Sequence, residues 1–406
     1  MNVPRKLLQG TAMFAVLFVV GACGPASDAA QMEMMYTASA AEGVPVFEYD
    51  PSFPSLPLPN QWIMGEHGGV DVDDDDNIWI IQRPWTVIGR ELAAVNNEAM
   101  CCRPAPPVIQ FDYDGNVLGS WPDLRTFQAE PGTAAGQGGT VGRNGATLFE
   151  AADGEYGEWG RREHTVYVDH NGFVWTTNDD SHIIYKFTQQ GEFVLSIGVQ
   201  DVTRGSNDTE TLGRPAGLKV DSETNELFVA DGYTNKRIIV FDAETGEYRR
   251  HWGAYGRPPQ DIQLDYAPGD NPEHFIGPVH GIDISSDHLV YVTDRRSDRY
   301  QVFELDGTFV EEVYVAPETL DAGSAYGLAL SHEENNEFVY VNDGSNNRIW
   351  IVRRSTGETV GNFASYGRNG GQVLSAHSMA VDSQGNVYIA ETRGRRLQRF
   401  LHRGYQ

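Results

Sequence analysis

Apolar and polar residues alternate along most of this chain in short runs, broken by Asp, Asn and Gly. Val70-Asp71-Val72 leads through an acidic turn to Ile78-Trp79-Ile80-Ile81. His164-Thr165-Val166-Tyr167-Val168 leads through His170-Asn171-Gly172 to Phe173-Val174-Trp175-Thr176, and a third run closes at Phe187. A period of two bounded by such turns predicts strands joined in hairpins. Long helical periodicity is absent.

The unit recurs six times, at roughly 40–50 residues per copy where no insertion intervenes. The copies open at Val70 (beside Gly69), His164, Ala216, His280, Tyr326 and His377. Sheets this small cannot bury both faces alone and must pack radially. The prediction is an all-β protein, a six-bladed β-propeller. The pattern resembles the NHL repeat, over roughly residues 65–402. The first copy is long. Residues 84–163 hold the strand Val108-Ile109-Gln110-Phe111, a Cys101-Cys102-Arg103-Pro104 stretch and a Gly-rich segment read as loop over 132–160. Long loops on rigid scaffolds often serve as lids, and this one reads equally as a surface insertion.

Innermost strands line the channel of a propeller, so the opening position of each copy faces it. Histidine holds that position in blades two, four and six, which lie about 120° apart. Three imidazoles converging with three-fold symmetry make a metal-binding arrangement with an open face, and zinc suits three histidines best. Other histidines, such as His170, His288 and His332, fall in hairpin turns and read as solvated. The loops after the second strands open at one face and supply Arg83, Tyr233 and Arg295. Cationic neighbours favour a phenolate, which makes Tyr233 a candidate general base, and guanidiniums can grip a carboxylate. Taken alone, these are also ordinary loop residues.

The ends and the composition add the compartment. Arg5 and Lys6, an apolar run over 12–20 and Gly21-Ala22-Cys23 have the layout of a lipoprotein signal, too short for a permanent span. Cys23 is then the lipidated first residue, an ordinary signal with a chance cysteine being the alternative. The organisation expected is a signal over 1–22, a flexible tether over 23–45 and a propeller over 46–406, lipid-anchored in the cell envelope and facing the periplasm or exterior. Removing 1–22 takes away Arg5 and Lys6 and no acidic residue, leaving 28 basic against 57 acidic residues and a charge of −29. Such a surface repels phosphate backbones and excludes nucleic-acid binding. The protein should act as a monomer on a small-molecule or peptide substrate, touching the membrane only through its lipid. The adjacent cysteines suit a vicinal disulfide or two small loop residues, and no catalytic role.

Several stretches together resemble peptidyl-α-hydroxyglycine α-amidating lyase: Asp231-Gly232-Tyr233 with Asn235 and Arg237, Val279-His280-Gly281, Asp294-Arg295, and Ala376-His377. The resemblance implies a carbon–nitrogen lyase that cleaves the N–Cα bond of a C-terminal α-hydroxyglycine, giving an amide and glyoxylate. It makes His164, His280 and His377 the zinc ligands and Tyr233 the base, with Arg83 and Arg295 orienting substrate and neutralising charge. Two departures stand out. Thr234 replaces a disulfide cysteine of the family, and Ser378 replaces an aspartate that binds structural calcium, which argues against calcium at the core. The Asp71–Asp76 run lacks an EF-hand pattern and reads as a hairpin turn. No monooxygenase partner domain accompanies the propeller, so the substrate need not be peptidyl. Two competing readings are a non-catalytic propeller binding peptide or protein partners at the envelope, and a metal-dependent hydrolase such as a lactonase. The histidine set disfavours the hydrolase, because six-bladed lactonases typically build their sites from Asp, Asn and Glu.

Overall fold

A computed structural model describes residues 43–87, 91, 93, 100–121, 147–150, 156–159 and 162–406. Cys23, the signal and most of the tether lie outside them, as does most of the candidate lid. The described chain forms six four-stranded antiparallel sheets with sequential strand order. Their innermost strands are Glu66–Val72, Glu163–Val168, Leu218–Asp221, Val279–Ile284, Gly327–Leu330 and Ala376–Val381. The sixth sheet is completed by Pro45–Asp50, which pairs antiparallel with Arg396–Tyr405. The two ends of the ring are thereby joined by hydrogen bonds, which removes a free edge.

Alternation explains why the second strands read as unbroken apolar runs. In Ile78–Arg83 of blade one, Ile78 and Ile80 pack against blade six, alongside Tyr388, Ala390 and Leu397. Trp79 and Ile81 point the other way, against Val166, Val174 and Phe187 of blade two. Successive side chains leave opposite faces of a strand, so every second strand is buried on both sides. Equivalent apolar layers lie between blades two and three, three and four, and five and six. The core is therefore a set of wedges between blades, and each wedge fixes the angle between its neighbours.

Aspartates hold the hairpin turns. Asp73 accepts from the backbone N–H groups of Asp75 and Asn77 and from the Trp79 indole at 2.8 Å, and Asp169 accepts from Trp175 at 2.7 Å. The acidic run is thus a turn, as its sequence predicts. The fourth strands, such as Phe193–Ile197 and Tyr248–Trp252, lie at the rim and are half exposed. The segment read as loop over 132–160 contains a pair of short strands, Thr147–Glu150 antiparallel to Tyr156–Trp159, which the glycine content around them masked. Cys101 and Cys102 are bonded to each other. No helix among the described residues is long and apolar enough to cross a membrane.

Candidate functional site

Each of the three histidines sits on an innermost strand at a break in register. The pairing shifts between Glu163 and Thr165, between Val279 and Ile282, and between Ala376 and Ser378. A bulge of this kind re-aims a side chain, and here it turns His164, His280 and His377 into the channel. Ring centroids are 4.7 Å apart for His164 and His280, 4.6 Å for His164 and His377, and 5.0 Å for His280 and His377. One nitrogen of each lies within 4.8 Å of the other two, and all three residues are buried. They head a channel cavity of about 300 Å³ that continues past Asp71, Lys219 and Asp283.

The odd blades orient the even ones. His164 Nδ1 lies 3.2 Å from the Ala216 carbonyl and His377 Nδ1 lies 2.7 Å from that of Gly68, while His280 Nδ1 meets the carbonyl of Tyr326. A carbonyl only accepts, so each Nδ1 must carry the proton and each Nε2 presents a lone pair. Blade one contributes Gly68 to this pattern, whereas the sequence pointed to Val70, because the bulge between His67 and Gly69 shifts the strand. Burial holds all three imidazoles below their ordinary range, His377 down to about 3, with neighbouring arginines adding to the effect.

Tyr233 closes the group. Its hydroxyl lies 3.1 Å from His164 Nε2 and 3.0 Å from His280 Nε2. Three imidazole lone pairs and a phenol oxygen thus converge with one hydroxyl proton among them. Three neutral imidazoles with fixed tautomers are a donor set that suits a divalent cation. The loop carrying Tyr233 is anchored from below. Asp231 accepts from the Gly213 N–H at 2.7 Å, from Asn235 at 2.7 Å and from Arg237 at 2.9 Å. Gly232 permits the approach to the next blade, since a Cβ there would lie 2.1 Å from the backbone nitrogen of Val279.

The two sequence-predicted arginines border the triad on other sides. Arg83 is buried, donating to the Glu163 carbonyl at 2.9 Å and to Glu66 at 3.1 Å, and one of its terminal nitrogens has no partner. Arg295 lies with its guanidinium carbon 3.9 Å from the Tyr326 ring centre and donates to the Ala322 carbonyl. The guanidiniums over the Tyr233 ring are instead Arg162 and Arg214, at 4.9 and 5.2 Å. Both pair with the same oxygen of buried Asp179, at 3.2 and 3.3 Å. Burial pushes the Asp179 carboxyl up, with Arg162 and Arg214 pulling the other way. Sequence reading missed these three. A signal was available, because Arg162 and Arg214 each stand two residues before the channel position of successive blades, His164 and Ala216. Asp179 follows the second strand of blade two, as Tyr233 and Arg295 follow theirs and as Arg83 ends its own.

Fold and site define the class: a six-bladed β-propeller with a buried histidine triad at the head of its channel, able to hold a metal ion. No family model matches the chain. It is 26% identical over 349 residues to peptidyl-alpha-hydroxyglycine alpha-amidating lyase 1 of Drosophila melanogaster, covering 81% of this chain and 60% of that protein. It is 25% identical over 241 residues to peptidyl-glycine alpha-amidating monooxygenase B of Xenopus laevis, covering 58% of this chain and 26% of that protein. A solved structure of streptogramin B lyase superposes with a TM-score of 0.48 at 13% identity, covering 88% of this chain and 98% of that one. The chain is an amidating-lyase-like β-propeller. It spans about three fifths of the length of the Drosophila protein and about a quarter of that of the Xenopus protein.

Proposed function

We propose that the protein is a metal-dependent lyase that splits the N–Cα bond of an α-hydroxyglycine-type carbinolamide into an amide and glyoxylate, with zinc as the metal. The observation that carries this reading is the meeting of Tyr233 with His164 and His280 at a point faced by all three Nε2 lone pairs. His164, His280 and His377 would hold the ion. When bound, it would supply Lewis acidity that eases deprotonation of a nearby hydroxyl.

The remaining chemistry falls to the chain. Tyr233 takes the hydroxyl proton as general base. The C–O bond becomes C=O, the N–Cα bond breaks, and its electron pair passes to the amide nitrogen, which is protonated. No oxidant is needed, and the proton lost by the hydroxyl is balanced by the one gained by nitrogen. Arg83 and Arg295 border the triad and provide cationic groups for the substrate carboxylate, which favours bidentate guanidinium contacts. The channel walls hold the reacting group among buried side chains, where such interactions are stronger than in water.

Two measurements test the reading. Purified protein should contain about one zinc per chain, one ion being what three histidine ligands accommodate, and His280→Ala should lose it. Wild type should release glyoxylate from an N-acyl-α-hydroxyglycine, and Tyr233→Phe should be slower by roughly 10²–10⁴-fold with its metal retained. A metal-free wild type, or equal release by the two proteins, would refute it.

A further inference from the structure

Arg162 and Arg214 form a pair that the reaction above leaves unused. They flank Tyr233 from successive blades, and their side chains remain 37% and 31% exposed at the mouth. Buried Asp179 fixes both through one oxygen. Arg214 also has a buried Nε with no hydrogen-bond partner.

Four guanidiniums, those of Arg83, Arg162, Arg214 and Arg295, gather around the histidines and Tyr233 in a chain whose net charge is −27. Guanidiniums grip carboxylates bidentately. An α-hydroxyglycine brings one carboxylate, which Arg83 and Arg295 can serve.

We infer that Arg162 and Arg214 form a second carboxylate subsite, so that the preferred substrates carry an acidic group on the acyl side of the scissile amide. This rests on the lyase reading. Asp179 engages one terminal nitrogen of each guanidinium, at 3.2 and 3.3 Å, and each guanidinium keeps further N–H groups for an incoming carboxylate. Charge-assisted pairs of this kind are selective because the unpaired alternative leaves a desolvated charge behind.

The experiment compares N-succinyl-α-hydroxyglycine, which has two carboxylates, with N-butyryl-α-hydroxyglycine, which has one. Wild type should favour the succinyl compound in kcat/KM by about tenfold or more, chiefly through KM. Arg214→Gln and Arg162→Gln should each bring the ratio of the two close to one, and Arg214→Lys should restore part of it. A wild-type ratio near one, or a ratio unchanged in both Gln variants, would overturn the subsite. Calorimetry of succinamate, the amide product, decides the case independently of turnover. It should bind wild type about tenfold more tightly than Arg214→Gln, and equal binding by the two refutes the proposal. If neither compound releases glyoxylate, the lyase reading falls, while the succinamate titration still settles the subsite.

Discussion

Arg237 is the residue whose loss should cost the most for its distance from the channel. Its guanidinium is wholly buried with Asp231, at 2.9 Å, and also donates to the carbonyls of Ser206, Asp208 and Thr211. Replacing it by Met keeps the bulk and removes every one of these bonds. Asp231 would then be a buried carboxylate with only the Gly213 N–H and Asn235 as partners. Breaking a buried pair on one side costs about 3–5 kcal/mol, a large share of the roughly 5–15 kcal/mol that holds a typical fold. The damage should be local to function as well. Asp231 ties the Gly213-Arg214 segment to the Tyr233 loop, which itself rests on Gly213 and Arg214 carbonyls at 2.9 and 3.3 Å. Denaturant unfolding followed by tryptophan fluorescence should show Arg237→Met destabilised by that amount, Arg237→Lys intermediate, and glyoxylate release reduced in both while still folded. Adding Asp231→Asn to Arg237→Met should recover stability, because the uncompensated charge is gone. A single Met variant within 1 kcal/mol of wild type, or a double variant no more stable than the single, would refute the account.

Gly232→Ala should place a methyl group against the Val279 backbone and displace the strand that carries His280; melting temperature and metal content should fall together, and normal values of both would contradict the close approach. Asp298 should report on pH. Burial pushes its carboxyl up to about 7, while Ser324 opposes the shift. A raised value means the folded state binds the proton more tightly, so this contribution is complete below pH 4 and lost as pH rises through 7. Asp298→Asn should therefore gain on wild type between pH 5 and pH 8 in thermal melts, and parallel curves would dismiss the effect. Cys23→Ser should move the protein from the membrane fraction to the soluble fraction, and unchanged fractionation would exclude lipidation at Cys23.

The fold was legible because propeller strands keep a strict period of two and their turns are cut by Asp, Asn and Gly. Residues that repeat in register, such as Val70, Ala216 and Tyr326 beside the three histidines, exposed the six-fold count. Closure of the ring by Pro45–Asp50 was not legible, because a six-residue strand paired across the whole chain has no local signature. The rim strands escaped for a related reason. Half-exposed segments such as Tyr248–Trp252 alternate weakly and carry charge on their outer faces. The pairing of Thr147–Glu150 with Tyr156–Trp159 was hidden by the glycines around it.

The site was legible in its ligands and illegible in its supports, and the difference has a physical origin. A histidine at the same place in alternate blades is a periodic signal. The groups that orient it are backbone carbonyls of Gly68, Ala216 and Tyr326, and a carbonyl leaves no trace in side-chain identity. The three carbonyls come from the blades between the histidine-bearing ones, so the alternation visible in the sequence reappears in the hydrogen bonds that fix each tautomer.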